Sequence, residues 1–122
     1  MKAFLKNYRQ SPRKVRLVAG AVKGKSLAAA DATLSFMAKR AAEPIQKLIN
    51  SAAANAVQMG MNLDTLVIKS MEVNKGLVMK RMMPRAMGVG KPINKRMSHV
   101  EVTLGEAAPK ASKSVKAKKE SK

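Results

Sequence analysis

Near the end of the chain apolar and polar residues alternate without a break. Val100, Val102 and Leu104 take one parity, and His99, Glu101 and Thr103 take the other. A period of two marks a strand with one buried face and predicts a strand over residues 93–104. Its partner is predicted over residues 66–83, with a weak point at Gly76. A looser alternation over residues 1–10 sets Ala3 and Leu5 against Phe4 and Tyr8, and predicts a short first strand. Between these stretches the spacing becomes helical. Val15, Val18 and Val22 share one face of a helix over residues 13–22, with Arg13, Arg16 and Lys23 roughly opposite. Ser11 offers a capping hydroxyl before Pro12, and Gly24 ends the helix. Ser26 caps a second helix over residues 27–37, whose inward stripe is Leu27, Ala30 and Leu34. A third helix over residues 40–59 turns Ile45, Leu48, Ile49, Ala52, Ala56 and Met59 inward. Pro44 falls in its first turn, where a missing N–H costs little. Small residues over 51–56 allow another backbone to come close, and Gly60 and Asn62 close the helix.

The segment joining the last two strands departs from an ordinary hairpin. From Val73 to Val100 there are seven Lys or Arg residues and no acid, with Pro84, Gly88, Gly90 and Pro92 at the centre. About twelve residues from Lys75 to the tip, at ~3.3 Å each, span on the order of 40 Å. A small domain is barely wider, so the far half of this arm cannot rest on its own core. Either it is flexible in isolation or a partner holds it.

Charge narrows the choice of partner. Lys and Arg number 25 against seven Asp and Glu, a formal net charge of +18. The excess is concentrated in the first 30 residues, in the arm, and in a Lys-rich tail from Ala107, leaving the middle to form a core. Self-repulsion of this size opposes compactness until an anionic partner neutralises it. Cysteine is absent, which excludes disulfides and thiolate zinc sites. Acids and lysines interrupt every apolar run before it reaches membrane-spanning length, and residues 1–10 lack the apolar core of a signal peptide. A cytoplasmic, soluble protein with no membrane partner is expected. Phe4, Tyr8 and Phe36 are too few for a base-stacking platform.

Two groups of side chains carry candidate chemistry. On the first helix Arg13, Lys14, Arg16, Lys23 and Lys25 are suited to phosphate contact. A basic helix face is commonly just a solvated surface, but here no acid is near enough in sequence to pair with it. On the arm, Lys80, Arg81, Arg85 and Lys91, with Lys95 and Arg96 on the return strand, are interleaved with Met79, Met82, Met83 and Met87. A charged edge that deters aggregation accounts for the lysines. It does not account for the reach, or for pliable methionines that can fit an irregular surface. His99 is the lone histidine, and hydrogen bonding at the hairpin base suits it better than catalysis or metal binding. Lys23-Gly24-Lys25 lacks the glycine spacing of a phosphate-binding loop. No catalytic residue, cofactor site or metal site is assigned.

Four segments, SPRKVRLVAG (residues 11–20), SAAANA (51–56), MKRMMPRAMG (79–88) and KRMSHV (95–100), occur in an order and spacing that resembles the large-subunit ribosomal protein family L-twenty-two. The likeness runs over roughly residues 9–104 and is closest to the bacterial form. It implies an α+β fold, with three helices packed on a small three-stranded antiparallel sheet and a long extended β-hairpin. The domain would span residues 1–106, including an arm at about 75–98, followed by a basic disordered tail over 107–122. By resemblance, Met79, Lys80, Arg81, Pro84, Arg85 and Gly88 belong to the arm and turn. Lys95, Arg96, Ser98 and His99 belong to the return strand, and Arg13, Lys14 and Arg16 to the basic first helix. The implied RNA-binding set is Arg9, Arg13, Lys14, Arg16, Lys23, Lys25, Lys80, Arg81, Arg85, Lys91, Lys95, Arg96 and His99. Met87, Gly88, Val89, Gly90 and Lys91 would form a tip lining the polypeptide exit tunnel. Tips in this family are commonly richer in Arg.

The expected function is therefore structural. The chain would bind large-subunit (23S-type) ribosomal RNA, contact neighbouring large-subunit proteins, aid assembly, and meet the nascent polypeptide at its tip. Its contacts would neutralise phosphate charge and fit RNA shape. An alternative is a stand-alone DNA-binding or compacting protein that uses the first two helices as a helix-turn-helix. The second helix is poorly suited to that, its polar residues being only Asp31, Thr33 and Ser35. A hydrolytic enzyme lacks a plausible constellation of groups.

Overall fold

A computed structural model of the chain describes residues 1–106. The elements run β1 (Lys2–Tyr8), α1 (Pro12–Val22), α2 (Leu27–Ser35), α3 (Ala42–Gln58), a 3-10 turn (Leu63–Thr65), β2 (Leu66–Pro84) and β3 (Gly90–Glu106). The Lys-rich stretch expected to form a tail lies outside the described residues.

β1 and β2 flank β3, both antiparallel to it, giving a sheet of order β1-β3-β2. The helices cover one face of this sheet, α1 lying against β2 and β3 and α3 against β1 and β3, while α2 packs on α3. The expected α+β architecture is therefore the observed one. The core forms where the helical stripes meet the inward strand positions: Val15, Val18, Val22, Ile45, Ala52, Leu66, Ile68 and Val102 are all at most 1 % exposed. Ala52 and Ala56, two of the small residues of α3, are fully buried.

Several local expectations change in the fold. Ser26 caps α2 by accepting from the Ala29 N–H at 3.4 Å, but the Ser11 hydroxyl makes no corresponding bond to α1. α2 stops at Ser35 and α3 starts at Ala42, both shorter than the apolar spacing suggested. Met59, read as inward, is exposed, because the helix ends one residue before it. Leu27 is only half-buried at the edge of the core.

β2 alternates irregularly for a physical reason. Its register against β3 slips between Ile68 and Ser70 and again between Lys75 and Val78, each time with an extra residue on β2. The inward positions are accordingly Leu66 and Ile68 before the first bulge and Met71 and Val73 after it. At the second bulge Gly76 lies against β3. A Cβ there would meet the Met97 carbonyl carbon and oxygen at 3.2 Å and the Ser98 nitrogen at 3.3 Å, all backbone atoms. Gly76→Val should therefore push the strands apart at the arm's root and cost about 1–3 kcal/mol. Thermal unfolding measures the cost, and cross-strand contacts between Lys75 and Ser98 in NMR spectra report the separation.

Beyond that bulge the ribbon has no core. From Asn74 to Arg96 no residue is buried, and only Gly76, Val78, Met79 and Ile93 are even half-buried. β2 and β3 continue as a two-stranded arm paired from Val78–Arg96 out to Pro84–Gly90. A turn closes it, with the Arg85 N–H donating to the Val89 carbonyl at 2.8 Å and with positive φ at Met87 and Gly88. Met87 at the apex is 99 % exposed.

Candidate nucleic-acid interface

The arm's root and the start of α1 form one basic surface. β1 ends at Tyr8, whose hydroxyl donates to the Arg40 carbonyl at 3.1 Å. That bond brings the α2–α3 connection beside the β1–α1 corner. Between this corner and β3 lies a groove of about 880 Å³ lined by Arg9, Gln10, Ser11, Lys14, Arg40, Asn94, Lys95 and Arg96. A second hollow of about 510 Å³ shares Ser11, Lys14 and Arg96 with it and adds Pro12, Arg13 and Arg16. Together they carry seven cationic side chains and no carboxylate.

Among the described residues ion pairs join only Lys2 to Glu101 and Lys47 to Glu43. Each is a surface pair. The hydrogen bond from Lys2 to Glu101, then their charges, raise the Lys2 pKa, and Lys47 lowers that of Glu43 in the same way. The groove cations have no such partner. A groove lined by one sign of charge concentrates the opposite sign, so it suits a polyanion's phosphates.

Arg16 has a second task. Its Nε and one terminal nitrogen donate to the Val73 carbonyl at 3.1 and 2.9 Å, where β2 leaves the core. One guanidinium thus braces the arm's root against α1. Arg16→Ala should speed amide exchange around Val73 and lower stability by about 1–2 kcal/mol; hydrogen exchange and thermal unfolding check both.

Of the residues proposed from sequence, Arg9, Arg13, Lys14, Arg16, Lys95 and Arg96 come together here. Lys80, Arg81, Arg85 and Lys91 lie exposed along the arm. Lys23 and Lys25 do not join them. They sit at the far end of α1, ~15 Å away at helical rise, and Lys25 Nζ donates to Thr33 Oγ1 at 2.9 Å. His99 is on the opposite face of the sheet, where its Nδ1 accepts the Asn7 N–H at 3.0 Å, a hydrogen bond near the hairpin base. Arg40, Gln10 and Asn94 were missed. Arg40 reaches the groove through the Tyr8 contact, which no local pattern announces.

The first two helices are poorly arranged for reading a DNA groove. Their turn is tied to β2, with Gly24 N–H donating to the Ile68 carbonyl at 2.9 Å and Ile68 N–H to the Lys25 carbonyl at 3.0 Å. α2 itself, LAAADATLS, carries no cation. No described helix is long and apolar enough to cross a membrane.

Comparison with known proteins decides the family. The family model described as ribosomal protein L22p/L17e matches residues 3–105. The chain belongs to that family. Its members are structural proteins rather than enzymes. Among its relatives is a protein named large ribosomal subunit protein uL22 from Mesoplasma florum, 51 % identical over 106 residues, covering 86 % of this chain and 95 % of that protein. Proteins of the same name from Myxococcus xanthus and Deinococcus deserti are 44 % and 45 % identical, each again over 86 % of this chain and over 95 % and 76 % of their own lengths.

Proposed function

We propose that this chain is a structural constituent of the large ribosomal subunit, held in the cytoplasm on ribosomes. It binds large-subunit ribosomal RNA through the groove at the arm's root and through the arm itself. The observation that carries this reading is one acid-free cationic surface, running from Arg9 and Lys14 through Lys95 and Arg96 onto an arm without a core. Such an arm gains a fixed position only from what surrounds it. RNA phosphates match its charge, and RNA shape would select its path, with ordering entropy lost during assembly. The names of the relatives support placement in the large subunit. Residues 1–106 would act as one unit, residues 107–122 adding non-specific attraction to RNA. The tip, Met87 to Lys91, would line the polypeptide exit tunnel and meet the nascent chain.

Sedimentation of a lysate through a sucrose gradient in high salt tests the reading. Stoichiometric retention on the large subunit is expected. Release to the top of the gradient, while integral subunit proteins stay bound, would overturn it in favour of DNA binding.

A further inference from the structure

β1 does not run evenly along β3. Leu5 pairs with Val100 and Tyr8 with Ser98, so Lys6 and Asn7 together oppose the single residue His99. The extra residue makes a bulge. Asn7 absorbs it with a left-handed φ of 54°, a conformation asparagine adopts more readily than most residues. Here the Asn7 N–H donates to a side chain, His99 Nδ1, at 3.0 Å. The next two residues belong to the basic corner. Tyr8 donates to the Arg40 carbonyl, and Arg9 lines the groove with Lys95 and Arg96. The bulge therefore sets the direction in which β1 delivers Arg9.

An imidazole differs from a carbonyl as an acceptor. Nδ1 can accept only in the neutral ring whose proton sits on Nε2, whereas both nitrogens of the imidazolium donate. Protonation thus sets two N–H groups against each other at the bulge, whichever way the ring turns. Charged groups flank the ring on every strand. Lys6 lies on β1, with Lys2 reaching Glu101; Glu101 lies on β3; Glu72 and Lys75 lie on β2. Among the described residues the ring's one hydrogen bond is that with Asn7, and it requires the neutral form.

We propose that His99 is a positioning residue for the basic groove: its neutral ring fastens the β1 bulge, and protonation loosens the segment from Asn7 to Gln10 that carries Arg9. The consequence for RNA rests on the ribosomal reading above; the consequence for the bulge does not. The direction of the effect separates this role from direct contact. A histidine that touched phosphate would bind RNA more tightly once protonated. One that fastens the bulge would bind it less tightly.

The test uses the full chain, free and with a transcript of large-subunit ribosomal RNA, between about pH 8 and about pH 5, where imidazole titrates. In NMR spectra of the free chain the Asn7 amide resonance should follow the titration of the His99 ring. Amide exchange at Asn7, corrected for its intrinsic pH dependence, should quicken about threefold as the ring is protonated, while Ala3 keeps its protection. RNA affinity should fall by about the same factor. His99→Asn puts an amide oxygen at the branch that Nδ1 occupied and cannot titrate, so its Asn7 exchange and RNA affinity should stay level on acidification. His99→Phe offers no acceptor and should show the faster Asn7 exchange at every pH. An Asn7 resonance that ignores the ring titration would overturn the proposal. So would RNA affinity that rises on acidification in the parent, or a pH dependence that survives in His99→Asn. Should either variant fail to fold, the parent decides: an Asn7 shift that tracks the ring together with falling affinity supports the proposal, and the lack of either overturns it. No RNA binding at any pH would overturn the ribosomal reading itself, with the Asn7 titration still reporting on the bulge.

Discussion

Ile49→Asp is expected to abolish cooperative thermal unfolding of the isolated chain. Ile49 is 3 % exposed on the inner stripe of α3, between Ile45 and Ala52, both fully buried. α3 is the helix that ties the layers together, touching α2 on one side and β1 and β3 on the other. The substitution removes about 1.5–3 kcal/mol of apolar burial and places a carboxylate where no cation or donor is provided. Domains of this size have ~5–15 kcal/mol to lose, with small cores toward the lower end. Circular dichroism should show a broad, featureless melt at temperatures where the parent chain is folded. A sharp transition retained by the variant would mean that the α3 face is not core.

The second large effect leaves the fold intact and removes the affinity. Arg9, Lys14, Lys95 and Arg96 are exposed and lie outside the hydrophobic core. Replacing all four by Ala should hardly move the melting temperature. Binding to a large-subunit ribosomal RNA fragment, titrated at several salt concentrations, should become on the order of 100-fold weaker, and the log–log salt slope should flatten by about 3. The arm pair Lys80→Ala and Arg81→Ala should flatten it by about half as much, again without loss of stability, since nothing beyond Gly76 is buried before Met97. An unchanged slope in the fourfold variant would place the phosphates elsewhere.

How far such effects could be foreseen depends on whether each signal is local. The clean alternation of Val100, Val102 and Leu104 located β3, and the helical stripes of Val15, Val18 and Val22 and of Ile45, Leu48 and Ile49 located two layers of the core. Pro84 and Gly88 marked the turn. Ends of elements were less legible. Leu27 and Met59 are apolar and correctly spaced, yet the core does not extend far enough to bury them. Least visible were contacts between residues distant in the chain. Arg16 looked like one more surface cation, but it spans 57 positions to bind the Val73 carbonyl. Arg40 and Arg9 are neighbours only because Tyr8 holds the α2–α3 connection in place. His99 was grouped with the return-strand cations, yet it lines a different hollow, beside Phe4 and Asn74, and accepts the Asn7 N–H.

The two bulges of β2 bear on how this chain tolerates insertions and deletions. Both extra residues lie on β2 and none on β3, so β2 carries slack that its partner lacks. Deleting Lys69 or Leu77 would let a bulge straighten, and every pair beyond it could keep its present partner. Deleting one residue from β3 between Arg96 and Leu104 would instead slide all the outer pairs by one step and exchange the two faces of that strand. Length changes that are silent on one strand would re-address the whole arm on the other.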